Sequence, residues 1–145
     1  MQVHHILKNK ADDGVVTVPP GTSLREAAKI LSERRIGTVV ISADGIEAQG
    51  ILSERDIVRV LSMRGAACLD TNVDDVMTKS LQTCTRTDQA DAVLQRMTDG
   101  RFRHMPVVED GKLVGLITLG DAVKARLTEL AAEKDALESM VSNSW

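Results

Sequence analysis

The sequence predicts an α/β fold in which one unit is built twice, and three observations carry that prediction. First, Gly50-Ile51-Leu52-Ser53-Glu54-Arg55-Asp56 returns in near copy as Gly115-Leu116-Ile117-Thr118-Leu119-Gly120-Asp121, 65 positions later (115 minus 50) in a chain of 145 residues. Self-similarity at a fixed offset marks a duplicated unit. Second, each copy is a short apolar run that ends in a hydroxyl residue and gives way to helical spacing. Third, the pattern around each copy reads strand–helix–strand–strand–helix, the alternation of an α/β domain. The match extends outward. Val15-Val16-Thr17-Val18 is echoed by Leu81-Gln82-Thr83-Cys84 at an offset of 66 (81 minus 15), Arg35-Ile36 by Arg101-Phe102, and Val39-Val40-Ile41 by Pro106-Val107-Val108.

Taken in order, Val3, Ile6 and Leu7 stand at helical spacing and predict a short lead-in helix over 3–9, followed by a turn at Ala11-Asp12-Asp13-Gly14. Val15 to Val18 is a β-branched strand stopped by Pro19-Pro20-Gly21. Thr22 or Ser23 then opens a helix, with Glu26 three residues after Ser23 to complete a capping box. Leu24, Ala27, Ala28 and Leu31 form its buried stripe. Gly37 to Ser42 is a near-continuous apolar run, the pattern of a strand buried on both faces. Ala43-Asp44-Gly45 turns the chain, and Ile46 to Leu52 returns as the next strand. The helix opened by Ser53 runs to about Met63 on Ile57, Val58 and Leu61.

Gly65 to Asn72 reads as a linker, and Val73 to Met77 as a short helix matching the lead-in of the first unit. The order then repeats: strand 81–85, helix 87–99, strand 104–109, turn Glu109-Asp110-Gly111, strand 112–118 and a helix from Leu119. The resulting division is a first repeat over 1–65, a linker over 66–72, a second repeat over 73–125 and a helical tail over 126–145. In the tail helix Val123, Leu127, Leu130, Leu137 and Val141 recur at four-three spacing, interrupted by Lys134. Such a seam either packs on its own domain or pairs with another chain. Trp145 is expected to fray.

Composition narrows the function. With 43% apolar residues but one Phe, one Trp and no Tyr, the core is aliphatic, and the platforms for stacking single-stranded bases are missing. A net charge of −3 supplies no field for a phosphate backbone, so no nucleic-acid partner is expected. Cys68 and Cys84 lack metal-ligand spacing and read as buried free thiols. Met1-Gln2-Val3-His4-His5 is polar and too short for a leader, and no run of about twenty apolar residues spans a bilayer. A cytoplasmic protein without a membrane partner is expected. No Ser-His-Asp set, zinc spacing, phosphate-binding loop or dinucleotide fingerprint is present, so the chain is not expected to be an enzyme.

The repeated motif supports two chemistries. Ser53 with Asp56, and Thr118 with Asp121, have the spacing of a capping box, in which the cap is worth about 1 kcal/mol. The same helix N-terminus presents unpaired N–H groups and the positive end of a dipole, which suit phosphate. An Asp there can accept hydrogen bonds from a ribose diol, each charge-assisted bond contributing roughly 1.5–3 kcal/mol. From spacing alone, both readings stand.

Both repeats resemble cystathionine-β-synthase (CBS) domains, small regulatory modules that usually occur in tandem. The resemblance rests on Gly-apolar-apolar-[Ser/Thr]-x-x-Asp at 50–56 and 115–121, with Arg35-Ile36-Gly37-Thr38-Val39-Val40 and Arg101-Phe102-Arg103-His104-Met105-Pro106-Val107-Val108. It covers roughly residues 1–125. It implies two pseudo-symmetric β-α-β-β-α repeats packed as one module, with a C-terminal helical extension. It also implies an adenosyl ligand in clefts between the repeats: AMP, ADP, ATP or NAD, with S-adenosylmethionine less favoured because Arg55 and Arg103 suit phosphate. By resemblance Asp56 and Asp121 hold ribose, and Ser53 and Thr118 lie near phosphate. Thr17, Val18, Thr38 and Val39 would line one adenine site, and Thr83, Cys84, Met105 and Pro106 the other. Arg55, Arg103 and His104 would supply cationic contacts, with Arg35 and Arg101 behind them. Arg55 of the first motif is Gly120 in the second, so the two clefts are expected to differ in phosphate number or occupancy. A homodimer and an effector protein are the implied partners. The implied function is a non-catalytic sensor of energy or metabolic state; the alternative is a dimerisation scaffold with vestigial clefts.

Overall fold

The structure is a computed structural model and describes residues 1–10 and 14–143. The predicted turn at 11–14, apart from Gly14, and Trp145 lie outside the described residues. The chain runs α1 (Val3–Asn9), β1 (Thr17–Val18), α2 (Leu24–Arg34), β2 (Thr38–Ile41), β3 (Gly50–Ser53) and α3 (Glu54–Arg64). Two 3-10 turns, Ala66–Asp70 and Val73–Asp75, connect it to α4 (Ala90–Gly100), β4 (His104–Glu109), β5 (Lys112–Thr118) and α5 (Leu119–Asn143). The first sheet has the order β1-β2-β3, with β1 parallel and β3 antiparallel to β2. Every residue of β2 is buried, as its unbroken apolar run predicts. The second sheet is the antiparallel β4–β5 hairpin. Asp110 (φ 51°) and Gly111 (φ 76°) turn it, both left-handed as a tight two-residue hairpin requires.

Local hydrogen bonds explain where the elements depart from expectation. The expected strand 81–85 shrinks to a single bridge at Cys84, whose N–H donates to the Pro106 carbonyl (3.0 Å) and whose carbonyl accepts from Val108 N–H (2.8 Å). Beyond it, Thr85 N–H is taken by Asp88 Oδ2 at 2.8 Å, which turns the chain toward α4. The return strand expected from Ile46 starts only at Gly50. Asp44 Oδ1 accepts from the N–H groups of Ile46 (2.8 Å) and Glu47 (3.0 Å) and curls that segment into a loop. The helix expected over 73–77 is a 3-10 turn. On α3, the buried positions are Asp56, Ile57 and Val60, whereas Val58 is 65% exposed. An inward-turned Asp places the apolar face one step from where apolar spacing alone puts it.

The helices α2 and α4 close identically. Ser23 Oγ caps α2 by accepting from Glu26 N–H (3.1 Å). At the other end Arg35 (φ 54°) and Arg101 (φ 55°) adopt the left-handed conformation that glycine usually supplies. Ile36 N–H then reaches back to the Leu31 carbonyl and Phe102 N–H to that of Met97, both at 3.1 Å.

The lead-in segments are exchanged between the repeats. Val3 and Ile6 of α1 are buried with Val93, Met97, Met105 and Ile117 in the second core. Val73 and Val76 are buried with Leu24, Leu31, Val39 and Leu52 in the first. The backbone repeats the exchange: Val3 N–H donates to the Asp88 carbonyl (2.9 Å), and Val73 N–H to that of Thr22 (2.8 Å). The glycine that opens each motif lies under these segments. A Cβ at Gly50 would run into Met77 Sδ, and one at Gly115 would stand 2.7 Å from Leu7 Cδ2. Only Ala122 and Ala125 of α5 are buried, so its seam residues Val123, Leu127, Leu130, Leu137 and Val141 point away from the core. No described helix is long and apolar enough to cross a membrane.

Candidate functional site

Two clefts open between the repeats, one of about 720 Å³ and one of about 410 Å³. The larger, cleft 1, is floored by the start of α3. Ser53 and Asp56 form a complete capping box there: Asp56 Oδ2 accepts from Ser53 N–H (2.9 Å) and Ser53 Oγ (3.1 Å), and Ser53 Oγ accepts from Asp56 N–H (3.2 Å). The second Asp56 oxygen, Oδ1, lies 3.2 Å from Arg59. The facing wall belongs to the second repeat: Ser80, Leu81 and Gln82 from its opening segment, and Phe102, Arg103 and His104 from the α4–β4 corner.

Cleft 2 reverses the arrangement. Its floor is the start of α5, where Asp121 Oδ2 accepts from Thr118 N–H (2.9 Å) and Asp121 N–H donates to Thr118 Oγ1 (3.1 Å). Its facing wall comes from the first repeat through Val15, Val16, Ile36, Gly37 and Thr38. Lys10 Nζ closes one side, donating to Asp121 Oδ2 (2.8 Å) and to the Leu116 carbonyl (2.9 Å). Each cleft therefore joins one repeat's motif to the other's opening segment. Gly37, Thr38, His104 and Thr118 line both, so the clefts meet along one wall.

The charges follow from this packing. Burial raises the Asp121 carboxyl, but the Lys10 hydrogen bond and the Thr118 N–H outweigh it, so the group falls below the usual carboxylate range. Burial lowers His104, and Lys10, Arg103 and Arg55 push it further below the usual imidazole value against the opposing Glu54. Burial, reinforced by Asp88 and Glu109, pushes the Cys84 thiol up to about 11 despite Arg96. That thiol is protonated at neutral pH and is no nucleophile. Among the described residues no cluster of His, Cys, Asp and Glu is arranged to hold a metal.

The sequence-predicted residues divide by placement. Ser53, Arg55, Asp56, Arg103 and Pro106 line cleft 1, and Asp121 lines cleft 2; Thr38, His104 and Thr118 line both. Arg101 and Arg35 stand at cleft 1 and cleft 2 respectively. Val18, Val39, Cys84 and Met105 are core residues, at most 3% exposed, and with Thr17 and Thr83 they line neither cleft. Their places are taken by Val15 and Val16, and by Leu81 and Gln82, earlier in the same segments. Ile36, Phe102, Arg59 and Lys10 went unpredicted. The repeat offset relates Ile36 to Phe102 and was the available signal for that pair. Lys10 offered none, because its partner is 111 positions away.

Two pseudo-symmetric α/β units that share a pair of clefts, each floored by a capped helix and walled by the other unit, define a tandem-repeat module. The chain belongs to the CBS domain family, whose model matches residues 7–63 and 73–128. A CBS-domain containing protein from Agrobacterium tumefaciens superimposes with a TM-score of 0.81 at 45% identity, over 87% of this chain and 99% of that one. A CBS domain protein from Pyrobaculum aerophilum, solved in complex with AMP, has a TM-score of 0.77 at 27% identity, over 91% of this chain and 99% of its own. The mitochondrial CBS domain-containing protein CBSX3 of Arabidopsis thaliana is 27% identical over 99% of this chain and 73% of its own length.

Proposed function

We propose that the chain is a non-catalytic sensor that binds an adenosyl nucleotide between its repeats and passes the bound state to an effector protein. The observation that carries this reading is the crossed construction of the clefts. A ligand held by Asp56 or Asp121 necessarily touches both repeats, so binding acts on their packing. Ribose falls to the two aspartates, phosphate to Ser53 and Thr118, and phosphate charge to Arg55, Arg103 and His104. AMP, ADP, ATP and NAD fit these groups better than S-adenosylmethionine does, and the Pyrobaculum relative's complex with AMP supports the choice. A homodimer accords with the apolar residues that α3 and α5 leave exposed, Val58 and Met63 on one, Val123 and Leu127 on the other.

A second reading, a scaffold with unused clefts, draws on the full engagement of both motif acids as helix caps. Calorimetric titration of nucleotide-stripped protein with AMP, ATP, NAD and S-adenosylmethionine separates the two. Micromolar binding that weakens more than tenfold in Asp56→Ala or Asp121→Ala supports the sensor. A melting temperature that drops while affinity stays unchanged, or silence from all four ligands, supports the scaffold.

A further inference from the structure

The pseudo-symmetry that relates the clefts also shows where they differ. Two arginines of cleft 1, Arg55 and Arg103, have uncharged counterparts at the equivalent positions of the other repeat. Arg55, one residue before the motif Asp, corresponds to Gly120 before Asp121. Arg103, on the wall facing Asp56, corresponds to Gly37 on the wall facing Asp121. Arg35 and Arg101, which end α2 and α4, give each cleft one arginine, and Arg59 of cleft 1 is held by Asp56 at 3.2 Å. Among the described residues Arg55, Arg101 and Arg103 form no ion pair, so three guanidinium groups face cleft 1 unneutralised, against Glu54. The one cation that cleft 2 has in addition, Lys10, is already bound to Asp121 at 2.8 Å. Cleft 1 is also the larger, at about 720 against about 410 Å³.

Resting on the function proposed above, we infer that the clefts sort ligands by charge: cleft 1 takes an adenosyl di- or triphosphate, and cleft 2 an adenosyl ligand with at most one phosphate. Phosphate recognition depends on opposed, unneutralised cations, and guanidinium groups engage several phosphate oxygens at once. Cleft 1 offers such groups from three separate positions around the ligand. In cleft 2 a polyphosphate tail would meet Gly37 and Thr38, which carry no charge, while Lys10 is held by the carboxylate.

The test is calorimetry on the full chain with ATP, AMP and adenosine, for the wild type, Asp121→Asn, Asp56→Asn and the double variant Arg55→Gln/Arg103→Gln. Asp121→Asn leaves cleft 1, which should bind ATP at least tenfold more tightly than AMP. Asp56→Asn leaves cleft 2, which should bind AMP or adenosine at least as tightly as ATP. The double variant changes two exposed arginines that cap no helix, and decides the matter if the aspartate variants do not fold. It should weaken ATP binding at least tenfold and leave adenosine binding within twofold. Equal ATP and AMP affinities at cleft 1, ATP preference at cleft 2, or an unchanged ATP affinity in the double variant overturns the sorting alone. Absence of binding by all three ligands to the wild type overturns the sensor reading as well.

Discussion

His104 stands on the wall shared by the clefts, and its proton responds to charge arriving in either. Its imidazole is held below the usual range first by burial, then by Lys10, Arg103 and Arg55, with Glu54 opposing. Phosphate in cleft 1 brings negative charge among these groups and raises the imidazole's pKa, so binding takes up a proton. The added affinity is full below the pKa of the free protein and is lost as pH rises through that of the complex. ATP is expected to bind more tightly at about pH 5.5 than at about pH 8, and His104→Asn to remove the part of that slope due to the imidazole. A slope identical in the variant would assign it wholly to the nucleotide. Gly50 and Gly115 make a different kind of claim, about contact. Adding one carbon at Gly115 drives it into branched Leu7, so Gly115→Ala should cost about 1–3 kcal/mol in urea unfolding. Leu7→Ala in the same chain should recover part of that loss; strictly additive losses would show that the two side chains do not collide.

The caps of α2 and α4 place arginine where the backbone favours glycine. A left-handed residue with a side chain costs roughly 1–2 kcal/mol, and glycine's greater freedom when unfolded returns about 0.5–1 kcal/mol of that. Arg35→Gly and Arg101→Gly should therefore each raise stability by up to about 1 kcal/mol, measured by thermal melting. A lower melting temperature would mean the arginines hold contacts worth more than the strain. Both stand at the clefts, so a gain in stability joined to a loss of ligand affinity would identify strain kept for binding. The elements themselves were largely legible, because strand and helix periods appear twice and correct each other. What was not legible was local hydrogen bonding. Asp44 and Asp88 each take backbone N–H groups that strands at Ile46 and Thr85 would have used, and neither side chain advertises its choice by spacing. Asp56 likewise turned inward and left Val58 outside.

The molecule as a unit depends on pairings that the repeat offset cannot reveal. Offset shows that Val15 corresponds to Leu81, and Asp56 to Asp121, but not that Asp56 faces Leu81 across a cleft while Val15 faces Asp121. The motif residues Ser53, Asp56, Thr118 and Asp121 line the clefts, whereas Thr17, Val18, Thr83 and Cys84 do not, and Val15, Val16, Leu81 and Gln82 of the same segments do. Beyond the clefts, α5 carries its apolar seam past the core, with Leu127 63% and Leu137 62% exposed. Ending the chain after Ala125 should leave ligand affinity unchanged and shift the sedimentation profile toward smaller species. An unchanged profile would take the last helix out of self-association.

Exchange of the lead-in segments also sets an order on biosynthesis. Val3 leaves the ribosome before any side chain of the second repeat that buries it, and those neighbours extend from Cys84 to Ala125. At typical rates of synthesis that interval is on the order of ten seconds. Throughout it the segment carrying Val3 and Ile6 has no site of its own to fold into. It is there that a holding chaperone has most to cover, and there that two neighbouring nascent chains would first entangle.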